Sequence, residues 1–175
     1  MLHKLIALLG LLLVLGGVNW SIMGKERHLA DGQIVYLELA PVDPRSIMQG
    51  DYMALRFDMA NKVYDALPKE EGSNRWFQQV TAPDGRVVVA LDERRVGTFV
   101  RIDDGTDLAV DELALRYRVR MGTVKFATNA FFFEEGSARL YEPARFGRFR
   151  VDADGEVLLT AMYDKDLQGL GPKTE

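Results

Sequence analysis

Ala114-Leu115-Arg116-Tyr117-Arg118-Val119-Arg120 is the stretch whose reading decides the fold of this chain. Leu115, Tyr117 and Val119 alternate with Arg116, Arg118 and Arg120. Successive side chains of an extended chain point to opposite faces, whereas a helix repeats about every 3.6 residues. An alternation this regular predicts a half-buried β-strand, apolar toward a core and cationic toward the outside.

The same character extends to both sides of it. Upstream, the turn Pro83-Asp84-Gly85 leads into a strand from Arg86 to Leu91, and Asp103-Asp104-Gly105 closes a strand from Phe99 to Ile102. Downstream, Ala130 to Phe133 is strand-like, and Ser137 to Glu142 predicts one helical turn, capped by Ser137 and stopped by Pro143. Phe149 to Val151 and Val157 to Tyr163 flank the turn Asp152-Ala153-Asp154-Gly155 as a C-terminal hairpin. Nearer the N-terminus, Gln33 to Ala40 reads as a strand ending at Pro41, and Val42 to Arg45 as a turn. Asp51 to Phe57 alternates, with Met53, Leu55 and Phe57 on one face and Tyr52 and Arg56 on the other. Asp58 to Leu67 predicts an irregular helix ended by Pro68, and Lys69 to Asn74 a polar loop. Trp76, Phe77 and Val80 then return the chain to the core.

A different physics governs the N-terminus. Leu5 to Met23 carries no charge and is rich in Leu, Val, Ile and Gly, long enough for a helix to cross a hydrocarbon core. Trp20 suits the headgroup zone at its far end. A cleaved signal peptide needs small residues at the processing site, and Val18 to Gly24 offers no such pattern. The expectation is an uncleaved single-pass membrane anchor, its partner there being the lipid bilayer itself. The domain that follows is expected to be extracytoplasmic, since a short apolar segment ahead of a globular domain is what a secretion pathway translocates. The charges around the span, Lys4 against Lys25, Glu26 and Arg27, give little help with orientation.

The predicted organisation is therefore an anchor over 1–24, a linker over 25–32, a β-rich domain over 33–168 and a flexible tail over 169–175. The fold class is mainly β with minor α: one antiparallel β-rich extracytoplasmic domain behind one N-terminal transmembrane helix. About 150 residues suffice for one domain with a real core. The net charge of −4 conceals blocks: residues 25–113 carry 11 basic and 17 acidic side chains, 114–150 carry 8 and 3, and 151–175 carry 2 and 6. The basic block suits either an anionic partner or acidic neighbours in the same sheet. The anchor and the acidic total argue against nucleic acid.

At Gly50-Asp51-Tyr52-Met53-Ala54-Leu55-Arg56-Phe57 the chain resembles a bacterial family named for its own signature, the GDYXXLXY proteins. Gly50, Asp51, Tyr52 and Leu55 match, and Phe57 stands where the pattern has Tyr. Asp43-Pro44-Arg45 precedes the signature as in the family. Phe132-Phe133-Glu134-Glu135-Gly136 with Glu142, and Val151 to Leu158, are similar to two later blocks. The resemblance covers about residues 30–168. It implies a membrane-anchored subunit or accessory protein of an envelope complex, with a multi-span membrane protein as partner, and implies no particular chemistry.

The residues themselves name few chemical candidates. Asp51, Tyr52 and Arg56 of the signature, Arg116 and Arg118 of the basic strand, and Glu135 and Glu142 of the second block are the candidate binding residues. Asp51 is expected to bond backbone amides at the strand entrance. Glu135 is expected to cap a turn or pair with an arginine of the Arg116–Arg120 ladder. No catalytic set, cofactor or metal is predicted. Val42-Asp43-Pro44-Arg45 lacks the serine that signal-peptidase-like enzymes carry there, and Ser46 with Lys62 does not replace it. His3 and His28 lie on opposite sides of the anchor, and the acidic turns at Asp103 and Asp152 lack the final Glu of a calcium loop. Two readings follow. The leading one is a non-enzymatic, tethered binding domain. The alternative is an envelope hydrolase with a site built from Asp51, Tyr52, Arg56, Glu135 and Glu142.

Overall fold

The computed structural model describes residues 2–40, 48–49, 52–69, 80–128 and 130–171. The chain divides into two compact units, Met1–Gly32 and Gln33–Glu175.

The first unit is one helix, α1, Leu2–Asp31. The segment expected as a linker therefore continues the helix almost to its end. Lys25 to Ala30 contains neither Gly nor Pro, and Lys, Glu, Arg, Leu and Ala are ordinary or strong helix formers. The amide of Gly32 donates to the His28 carbonyl at 3.1 Å, and the helix stops there. Among the described residues no helix is long and apolar enough to cross a membrane.

The second unit is mainly β. In chain order its elements are β1 (Gln33–Glu38), β2 (Met48–Gln49), β3 (Tyr52–Ala54), α2 (Met59–Ala66), β4 (Asp84–Leu91), β5 (Gly97–Ile102) and β6 (Glu112–Arg120). Then come β7 (Thr123–Lys125), β8 (Ala130–Phe132), α3 (Ala138–Tyr141), β9 (Phe146–Val151), β10 (Val157–Tyr163) and β11 (Gly169–Leu170). They form three antiparallel sheets, ordered β1-β9-β10-β11, β2-β3-β8 and β5-β4-β6-β7.

Backbone bonds tie these sheets together. The amide of Tyr36 on β1 donates to the Arg95 carbonyl beside β5 at 2.9 Å. The amide of Arg116 on β6 donates to the Gly155 carbonyl, in the β9–β10 turn, at 2.8 Å. Beyond β3, Phe57 bridges to Leu39, with Ala40 donating to the Arg56 carbonyl and Asp58 to the Glu38 carbonyl. One apolar cluster fills the space they enclose, drawing Val35 and Leu37 from β1, Val87 and Val89 from β4, Leu115 and Tyr117 from β6, Phe149 from β9 and Val63 from α2.

The decisive strand stands as read: Leu115, Tyr117 and Val119 are buried and Arg116, Arg118 and Arg120 exposed. The C-terminal hairpin also stands, as β9 and β10. Several expectations change. Asp84 and Gly85, read as a turn, begin β4, because they pair with Arg118 and Tyr117. The signature strand ends at Ala54, although Met53, Leu55 and Phe57 are buried as the alternation requires. Ser137 precedes α3 without a side-chain capping bond. Gly169 and Leu170, assigned to the tail, pair with Tyr163 and Met162 as β11. The Val42–Arg45 turn, Gly50, Asp51, residues 70–74 of the polar loop, Trp76 and Phe77 lie outside the described residues.

Candidate functional site

The seven residues singled out by sequence fall in separate places. Asp51 lies outside the described residues. Tyr52 opens β3 opposite Phe132 of β8, their ring centroids 5.7 Å apart. Arg56 is exposed just beyond β3, and Glu135 and Glu142 are exposed before and at the end of α3. Arg116 and Arg118 point outward from β6.

In the second block, packing accounts for the aromatic positions. Phe131 and Phe133 turn inward onto Tyr141, with centroids at 5.0 and 5.2 Å. Phe132 points the other way and is 72% exposed, its ring resting on Tyr52.

Arg116 and Arg118 border a cleft of about 510 Å³. Asp84 to Arg86 of β4, Arg116 to Arg118 of β6, and Glu156 beside the β9–β10 turn line it, with Ala127 contributing from beyond β7. Tyr52, Arg56, Glu135 and Glu142 are not among its lining residues. Its charges are mostly paired. Arg116 donates to Glu156 at 2.8 Å, Arg86 to Asp103 at 2.8 Å and Arg120 to Asp84 at 3.1 Å. Glu135 was expected to cap a turn or pair with an arginine of the ladder; Arg116 is held by Glu156, because the Gly155 carbonyl's bond to β6 brings the hairpin turn alongside. Arg118 donates to the Ala127 carbonyl at 3.5 Å. Tyr117 donates from its hydroxyl to the Ala82 carbonyl at 3.1 Å. Burial first, and the Asp84 charge second, push its phenol above the ordinary tyrosine value.

Sequence reasoning missed a second polar cluster, on β1, β9 and β10. Arg148 donates to the Tyr163 hydroxyl at 2.9 Å and to the Thr160 hydroxyl at 3.0 Å, and its guanidinium lies over the Tyr163 ring. Tyr36, directly opposite Arg148, meets Tyr163 edge to face at 5.1 Å. Burial, and then Tyr163, raise the Tyr36 pKa, against the opposing pull of Arg148 and Arg95. Outward positions in Gln33–Glu38 and Phe146–Val151 were the available signal, but only the strand register joins them.

Among the described residues no group of three His, Cys, Asp or Glu side chains could hold a metal ion. The arrangement offers cation-to-anion recognition in the cleft and an aromatic contact at the signature. These features define a small, mainly β domain of antiparallel sheets, preceded in the chain by a long helix. The chain belongs to the GDYXXLXY protein family, whose model matches residues 14–162. No curated protein and no solved structure matches it.

Proposed function

We propose that this chain is a membrane-anchored extracytoplasmic binding or accessory domain, a subunit of an envelope complex with a multi-span membrane protein. In this reading Leu5 to Met23 is a single-pass anchor in the bacterial inner membrane. The uncharged run supports it, as do the exposed apolar side chains Leu9, Leu11, Leu12, Leu13 and Val14 on α1. A partner contact at the signature is supported by one observation: Phe132, 72% exposed, rests its ring against Tyr52 of the signature strand. Aromatic residues with a fixed ring are the usual anchors of protein interfaces.

The experiment is co-purification from mild detergent, with the retained membrane protein identified by mass spectrometry. Phe132→Ser and Arg56→Ala should keep the melting temperature near that of the wild type and reduce retention. Tyr52→Phe, which preserves the ring, should weaken retention only if its hydroxyl touches the partner. Full retention in Phe132→Ser and Arg56→Ala would make the signature a folding element alone.

A further inference from the structure

The cleft beside β6 sets like charges against each other. In the β4–β6 register Arg86 is directly opposite Arg116, and in the β6–β7 register Arg118 is directly opposite Lys125. Side chains so placed have Cβ atoms about 5 Å apart, and like charges there destabilise a sheet. Three carboxylates answer part of this charge, and each is engaged: Asp103 by Arg86, Glu156 by Arg116 and Asp84 by Arg120. Among the described residues, Arg118 has the Ala127 carbonyl at 3.5 Å, the outer limit of a hydrogen bond. Arg118, the most weakly engaged of the cleft's arginines, thus borders a space of about 510 Å³, within the usual range for small-molecule sites.

A guanidinium fork suits an oxyanion, and a neighbouring ammonium adds a point charge to it. A carboxylate, with one charge, is satisfied by one such fork. A phosphate monoester carries up to about two charges and three acceptor oxygens, and so can engage both cations. We propose that this cleft binds the phosphate monoester group of an organic ligand, with Arg118 as its principal contact and Lys125, which is not one of the lining residues but stands directly opposite Arg118 on β7, as the second cation. The Arg116–Glu156 pair closes the hairpin side of the site. Bound phosphate relieves the Arg118–Lys125 repulsion, so binding and folding stability are linked. The site is distinct from the signature surface and does not depend on the partner reading.

The test uses the full chain in a non-ionic detergent, titrated with sodium phosphate and, separately, with sodium chloride at matched ionic strength. Calorimetry should show saturable phosphate binding, and the melting temperature should rise with phosphate more than with chloride. Arg118→Gln should weaken phosphate binding about tenfold or more, and Lys125→Gln by less. Glycerol 3-phosphate and dihexanoyl phosphatidic acid distinguish a soluble ligand from a lipid headgroup, according to which binds tighter. Equal effects of phosphate and chloride would overturn the proposal, as would unchanged phosphate binding in Arg118→Gln. Should Arg118→Gln fail to fold, unchanged binding in Lys125→Gln overturns it instead. Partner retention should be the same in both variants as in the wild type, so this result and that of the signature variants stand apart.

Discussion

Gly155 holds a φ of +80°, and a Cβ placed on it would lie 2.9 Å from the Ala114 carbonyl oxygen. Its own carbonyl accepts the Arg116 amide, so one residue joins the hairpin turn to β6. Gly155→Ala should therefore lose about 1–3 kcal/mol from the strained backbone, with the close contact adding to it, as measured by urea denaturation. Phe57 is a second such residue, buried against Phe126 and Phe149. Its truncation to Ala should cost about 3–5 kcal/mol. The two raised tyrosines set an alkaline limit. Both phenols hold their protons more tightly in the folded chain than in the unfolded one. Their contribution is complete below the ordinary value of 10.0 and is lost as pH rises through the higher folded values. Melting temperature should fall across that alkaline window, and Tyr117→Phe should flatten part of the fall.

Among the elements, the β6–β7 hairpin shows a local choice that opposes the fold. Met121 and Gly122 connect Arg120 to its partner Thr123, with φ of 51° and 68°. Two-residue hairpin turns of this kind favour Asn-Gly, and a left-handed backbone disfavours methionine. Met121 is fully exposed, so it gains nothing from packing. Met121→Asn should raise stability by about 0.5–1 kcal/mol without changing phosphate binding. β6 itself was readable because one face is buried and the other wet, which fixes its period. The signature strand was only half readable. Its buried face continues to Phe57, but the pairing with β8 runs out at Ala54, and Phe57 instead bridges to Leu39 just beyond β1, a change of partner that periodicity does not encode.

For the whole molecule, the anchor reading makes a direct prediction. A reporter active only outside the cytoplasm, fused after Glu175, should be active, and the mature protein should still begin near Met1. A mature N-terminus between Gly17 and Lys25 would remove the anchor. The β class was legible from alternation and turn residues. The cleft was not, although Arg116 and Arg118 were named, because it depends on which strands are neighbours. Asp84 and Arg86 come from β4, Lys125 from β7 and Glu156 from the β9–β10 turn, and they meet Arg116 and Arg118 only once the order β5-β4-β6-β7 and the Gly155 bond are known. The Tyr36, Arg148 and Tyr163 cluster escaped for the same reason: each residue looks like an ordinary outward position until register brings them together.

Phe57 carries a consequence for the history of the family. The final letter of the family pattern is a tyrosine, yet here the ring sits among Phe126 and Phe149 in the core. A hydroxyl at that depth without an acceptor costs about 1–3 kcal/mol. Relatives that keep tyrosine must supply an acceptor near the ring's far edge, and chains with phenylalanine are released from that need. Positions around residue 57, including the equivalents of Phe126 and Phe149, should therefore covary with it: polar partners where tyrosine is retained, wholly apolar ones where it has been lost.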